Sequence, residues 1–136
     1  MIKSEYQIRV RYDEVDKMGY LYHGNYAKYF HVGRTELLRK LGLNDAEMEK
    51  KNIILPVSEM NTKFIKPVYY DEIITIVSYL KEISGARLSF FYQIFNQNKE
   101  LATQADMTIA LVDNTTGKLI RIPQYIYDII KKTESL

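Results

Sequence analysis

Tyr26, Phe30, Gly33, Leu37 and Leu41 recur at steps of four, three, four and four, which is the spacing of one face of a helix. Tyr29, Val32 and Leu38 widen that face, so the spacing predicts a mostly buried helix with Lys28, Glu36, Arg39 and Lys40 turned to solvent. Asn25 stands where an N-cap belongs and Gly42 where a C′ glycine belongs. Just upstream lies an acidic loop, residues 13–17. Gly19 and Gly24 then bracket a segment whose free backbone N–H groups point toward that loop. An acid, a glycine-flanked turn and a helix start in succession form a candidate reaction site.

The rest of the chain changes period. Residues 6–12 alternate, with Tyr6, Ile8, Val10 and Tyr12 against Gln7, Arg9 and Arg11, as in a half-buried strand. Asn44 and Glu47 have capping-box spacing, with Leu43 and Met48 at the staple positions, and predict a short helix to about residue 51. Strands are predicted over 54–65, 70–83, 86–95 and 101–112, separated by the Lys66-Pro67 step and by turns at Ser84-Gly85 and 96–100. Residues 123–132 read as a terminal helix. Short turns between long strands mean antiparallel hairpins, and one helix inside such a set gives an α+β domain spanning 1–136. A five-stranded sheet covered on one face keeps open edges and a bare face, so a homo-oligomer is expected.

Composition removes several function classes. The chain has no cysteine and only two histidines, His23 and His31, which excludes thiolate chemistry and argues against a histidine-rich metal centre. A net charge of +2 without a basic run does not imply a nucleic-acid surface. No signal-like or membrane-spanning apolar stretch is present, so a cytoplasmic protein without membrane insertion is expected. Twelve tyrosines without tryptophan suit surfaces half-buried against a partner or ligand.

The run Arg11-Tyr12, Asp16, Gly19, Tyr22-His23, Asn25-Tyr26, Tyr29-Phe30 and Arg34-Thr35-Glu36-Leu37-Leu38-Arg39 resembles the signature of the 4-hydroxybenzoyl-CoA thioesterase family. The subgroup it resembles is the small bacterial acyl-CoA thioesterases of the Tol–Pal-associated kind. Pro56-Val57, Lys66-Pro67, Tyr70-Asp71-Glu72 and Gly117-Lys118 extend the resemblance over nearly the whole chain. It implies a hot-dog fold, a long helix wrapped by a five-stranded antiparallel sheet, with two subunits joined edge to edge as a homodimer or within a homotetramer. It also implies hydrolysis of acyl-CoA at the subunit interface without metal or organic cofactor. The family's acid falls on Asp16, and the amide that grips the thioester carbonyl falls on His23. Two departures stand out: Val15 replaces a threonine before the acid, and His31 occupies a helix position where relatives carry an acid.

Thioester hydrolysis needs a group to attack or to activate water, and donors for the oxyanion. Asp16 serves either as nucleophile or as general base. The N–H groups at His23 and Gly24, at the positive helix end, serve the oxyanion. Tyr22, Gly24, Asn25 and Tyr26 are the expected substrate-binding residues. Asp16 as a plain turn cap, Asn25 as a plain N-cap and Tyr22 as packed core are the alternatives. Lys63, Lys66, Arg87, Lys118 and Arg121 are candidates for the CoA phosphates, though such charges are usually just solvated. Two rivals remain: a hydratase or dehydratase with a histidine base, and a non-catalytic acyl-CoA-binding protein, against which Asp16 argues.

Overall fold

The computed structural model describes residues 2–134. Its strands are β1 (Ile2–Arg9), β2 (Ile53–Ile54), β3 (Val57–Phe64), β4 (Ile73–Ser84), β5 (Arg87–Phe95), β6 (Leu101–Ala110) and β7 (Val112–Asp113). The helices are α1 (Tyr26–Lys40), α2 (Asp45–Lys50) and α3 (Gln124–Glu134), with 3₁₀ turns at Tyr12–Glu14 and His23–Asn25. Five strands pair antiparallel in the order β1-β4-β5-β6-β3, and β2 and β7 form a small second sheet. With α1 laid on one face of the five-stranded sheet, this is the hot-dog fold.

The helix pattern resolves as the spacing predicts. Tyr26, Phe30, Gly33, Leu37 and Leu41 are buried, as are Tyr29 and Leu38, and they meet Ile74 and Ile76 of β4 and Phe90, Tyr92 and Ile94 of β5. Phe30 stacks on Tyr92 at 4.9 Å between centroids. Each such side chain contributes about 1.5–3 kcal/mol by leaving water. The helix stops in a Schellman pair, Gly42 N–H to Arg39 C=O at 3.0 Å and Leu43 N–H to Leu38 C=O at 2.8 Å. At α2 the Asn44 side chain accepts from the Glu47 N–H at 3.0 Å, the predicted cap.

Several boundaries differ from the sequence reading. The first strand runs over Ile2–Arg9, and Tyr12 sits in the following 3₁₀ turn, 78% exposed. The predicted strand 54–65 is two strands, because Pro56 has no N–H to continue a ladder and its carbonyl instead takes the Ala110 N–H at 2.9 Å. The strand predicted from 70 starts at Ile73, since Asp71 has φ +71° and turns the chain. A register shift between Ile94 and Phe95 opposite Leu101–Thr103 buries Ala102 and leaves Leu101 half-buried. The last strand ends at Ala110, and β7 pairs with β2 instead. Asn25 does not cap α1: its backbone is already helical and its side chain bonds elsewhere.

Gly33 is where helix and sheet come closest. A Cβ there would run into Ser78 Oγ and stand 2.9 Å from Ile76 Cγ2. Alanine is favoured over glycine by about 1 kcal/mol in a helix, yet overpacking a close contact costs about 1–3 kcal/mol. Gly33→Ala is therefore expected to lower the urea denaturation midpoint despite its better propensity, and Gly33→Leu to lower it further. An unchanged or raised midpoint for Gly33→Ala contradicts the close approach.

Candidate active site

The acidic loop is folded around two carboxylates with different tasks. Glu14 is buried at 3% exposure. Its Oε1 accepts the Tyr29 hydroxyl at 2.7 Å and the Arg11 N–H at 2.9 Å, and its Oε2 pairs with Lys28 Nζ at 2.5 Å. Its backbone carbonyl accepts the Tyr22 N–H at 2.9 Å and the Asn25 side-chain amide at 2.8 Å. One residue thus fastens the loop to the first turns of α1. Burial works against the charge on Glu14, but the hydrogen bonds from Lys28, Tyr29 and the Arg11 N–H outweigh it and hold its pKa below the ordinary value of 4.5. Burial, then the bond to Glu14, pushes the Tyr29 hydroxyl far above its usual range.

Asp16 lies half-buried two residues on. Its Oδ1 accepts the N–H groups of Met18 at 2.9 Å and Tyr20 at 3.1 Å, which leaves Oδ2 to meet a ligand or water. The turn closes through Gly19, at φ +78°, whose N–H reaches the Asp16 carbonyl at 3.0 Å. Bridges from Val15 to Leu21 and from Tyr20 to Tyr69 hold the loop in place. Asp16 is therefore a turn cap and also keeps one carboxylate oxygen for other work.

The chain then enters the helix through His23–Asn25. The first bonds of this segment run from the Asn25 N–H to the Tyr22 carbonyl at 2.9 Å and from the Tyr26 N–H to the His23 carbonyl. The N–H groups of His23 and Gly24 precede that first closed turn, at the positive end of the helix. Asp16, His23 and Tyr26 line one cleft of about 320 Å³, together with Tyr20, Leu21 and the stretch 64–67. Tyr26 is buried, which raises its hydroxyl pKa, and its ring meets Phe64 edge-on at 4.9 Å.

Tyr22, Gly24 and Asn25 stand beside this cleft without lining it in the single chain. Tyr22 is 45% exposed, its ring lies 4.4 Å from that of His23, and a Cβ on Gly24 would meet the Tyr22 ring at 2.5 Å. Among the basic candidates, Lys66 lines the cleft, with its ammonium on Glu100 at 2.5 Å. Phe64 and Ile65 are lining residues that the sequence did not single out; their signal is that they sit apolar and exposed at the end of a strand.

His31 lies outside this cleft. Its Nδ1 is 2.7 Å from Arg34 Nη2 and its Nε2 3.6 Å from Asp45. A guanidinium can only donate, so Nδ1 accepts and the proton sits on Nε2, facing Asp45. Burial and the Arg34 charge lower the His31 pKa, and Asp45 opposes them.

Residues 10–130 match the thioesterase-like superfamily. The chain is 36% identical over 118 residues to YneP of Bacillus subtilis (strain 168), named as a candidate acyl-CoA thioesterase, covering 87% of this chain and 86% of YneP. It is 25% identical over 119 residues to the acyl-CoA thioester hydrolase YbgC of Escherichia coli O157:H7, covering 88% and 89% of the two chains. The crystal structure of a DHNA-CoA thioesterase from Staphylococcus aureus superposes with a TM-score of 0.93 at 37% identity, over 100% of this chain and 93% of that one.

The Glu14 anchor gives a pH prediction. With its folded pKa below 4.5, Glu14 contributes its full stabilisation above that value and loses it as pH falls through the depressed folded value. Glu14→Gln should lower stability near neutral pH by about 1–3 kcal/mol. In urea denaturation that difference should shrink on acidification below pH 4.5. A difference that stays constant across the acid range contradicts the anchor.

Proposed function

This chain belongs to the thioesterase-like superfamily, and on that premise we propose that it hydrolyses acyl-CoA thioesters to the free acid and CoA in the cleft beside Asp16. The observation that carries the reading is the pairing of a carboxylate oxygen left free by its turn with a helix start on the same cleft. The thioester carbonyl oxygen sits against the N–H groups of His23 and Gly24. As the carbonyl carbon becomes tetrahedral, charge builds on that oxygen and the two donors and the helix end stabilise it.

Asp16 then acts in one of two balanced ways. As general base it takes a proton from water as the water oxygen bonds to the carbonyl carbon. As nucleophile its oxygen bonds to that carbon, CoA leaves as thiolate, and water opens the resulting anhydride. In both, the C–S bond breaks with its electron pair on sulfur, and the sulfur needs no strong general acid. Tyr26 and Phe64 give an apolar wall for the acyl group, and Lys66 stands at the rim for the anionic CoA portion. The whole chain acts as one such domain in the cytoplasm. The assignment to the 4-hydroxybenzoyl-CoA group and its Tol–Pal-associated branch rests on the motif between Arg11 and Arg39.

The active unit is a dimer joined along β3, alone or within a tetramer. β3 is an edge strand, and Met60 and Phe64 pair in register with buried Met107 and Thr103, yet are 44% and 53% exposed. Side chains on the covered face of a sheet stay exposed only where the next strand is missing.

Asp16→Asn keeps an oxygen acceptor for the Met18 and Tyr20 N–H groups, so it should fold and bind acyl-CoA while losing about 10²–10⁴-fold in hydrolysis rate. Asp16→Ala loses the turn bonds as well and should also lower stability. A free-thiol assay showing full activity for Asp16→Asn removes the proposal. Sedimentation should give a dimer or larger, and a fully active 16.0 kDa monomer contradicts the edge pairing.

A further inference from the structure

His31 and Arg34 stand one turn apart on α1, and their contact depends on the charge of the imidazole. Arg34 is 3% exposed, and among the described residues no carboxylate lies within salt-bridge distance of it. Its guanidinium meets His31 Nδ1 at 2.7 Å, Met107 Sδ at 3.4 Å and the Tyr92 hydroxyl. Burial pushes that hydroxyl above its usual range, so Tyr92 stays neutral. A thioether accepts weakly, and the lone pair on Nδ1 is the acceptor that a proton would remove.

Two donors cannot share a contact of 2.7 Å. Once Nδ1 is protonated, it faces Arg34 as a second donor and a second positive charge. Arg34 is packed in, whereas the His31 side chain is 51% exposed, so the ring is the group that leaves. Asp45 waits 3.6 Å from its Nε2, but a pair so open to solvent gains little and does not replace the acceptor that Arg34 loses. The exchange happens at a joint. His31 and Arg34 border a cavity of about 140 Å³, walled on the far side by Asp45, Met48 and Glu49 of α2 and by Ile53 of β2. The charged groups lining it besides His31 are Arg34, Asp45 and Glu49, while Lys28, one turn before His31 on α1, is held by Glu14. With six residues in α2 and two in β2, this segment relies on packing at the joint rather than on its own hydrogen bonds.

We propose that His31, Arg34 and Asp45 form a pH-operated latch between α1 and the α2–β2 segment. With His31 neutral, the imidazole bridges Arg34 and Asp45 and the latch is closed. Protonation turns the ring away from Arg34, admits water to the cavity and loosens α2. Burial and the Arg34 charge hold the His31 pKa below the ordinary 6.5, against the opposing pull of Asp45. The opened or unfolded chain therefore binds this proton more readily than the closed one. The resulting loss of stability is absent well above pH 6.5 and grows as pH falls from there toward the lowered value. It begins at a higher pH than the loss from Glu14, whose ordinary value is 4.5.

His31→Asn tests the latch, because the asparagine oxygen offers Arg34 an acceptor that never takes up a proton. Amide hydrogen exchange is read at Met48 and Lys51, whose N–H groups bond to the Asn44 and Met48 carbonyls. Corrected for the intrinsic pH dependence of exchange, native protection there should fall several-fold, up to about tenfold, between about pH 7.5 and pH 5.5. In His31→Asn it should stay level. The chain has two histidines, so the imidazole NMR signal that His31→Asn removes belongs to His31, and its midpoint in the native protein should lie below 6.5. A midpoint at or above 6.5, or the same pH course of α2 protection in both proteins, overturns the latch. Should His31→Asn not fold, Asp45→Asn gives the second reading: without the acid the His31 midpoint drops further, and a midpoint that stays or rises overturns the proposal.

Discussion

The bonds gathered on Glu14 are the constraint from which the site follows. Its side chain ties together Arg11, Lys28 and Tyr29, and its carbonyl holds Tyr22 and Asn25. Loop and helix are brought together by a group that is itself buried, so loosening it would leave a carboxylate without solvent or partners. Two residues later the chain makes the Asp16 turn, and eight residues after that turn the helix itself is under way. The distance between Asp16 and the N–H groups at the helix start is thus set by structure outside the cleft they share. Preorganised donors are effective in catalysis because they need not move as charge develops.

The helix end and the sheet edge divide the remaining work. Gly33 lets α1 settle onto Ser78 and Ile76, which fixes the height of the helix above the sheet. The row Phe30, Tyr92 and Phe90 fills the space beneath. On the other side, β3 leaves Met60 and Phe64 uncovered although they lie on the helix-covered face. Phe64 also walls the Asp16 cleft, so the exposed edge and the wall of that cleft are in part the same residue.

Where local chemistry decides, the sequence was readable. The α1 face, the Gly42 stop, the Asn44 cap and the β4-β5 and β5-β6 hairpins follow from spacing and turn residues, whereas the pairing of β3 with β6 rather than with β4 does not. Asp16 and His23, singled out as site residues because they bracket a turn before a helix start, line one cleft. What the sequence hid was long-range. Glu14 reads as one more acid in a charged loop, since its partners Lys28 and Tyr29 lie fourteen and fifteen residues away. Asn25 has the composition of a cap, yet tertiary bonding to Glu14 draws its side chain away from that task. Arg34 was not placed on either face by the spacing; packing against Met107, on a strand far along the chain, goes with its burial. The break at Pro56 was written in the sequence and outvoted by the apolar run around it.

The central claim is geometric: a thioester carbonyl held between the free oxygen of Asp16 and the N–H groups of His23 and Gly24. A crystal structure of the Asp16→Asn protein soaked with an acyl-CoA tests it directly. The account predicts the carbonyl oxygen about 2.7–3.1 Å from those N–H groups, with the carbonyl carbon facing the side chain at position 16. A thioester bound with its carbonyl turned away from the helix start, or seated outside the cleft of Asp16 and Tyr26, would contradict it.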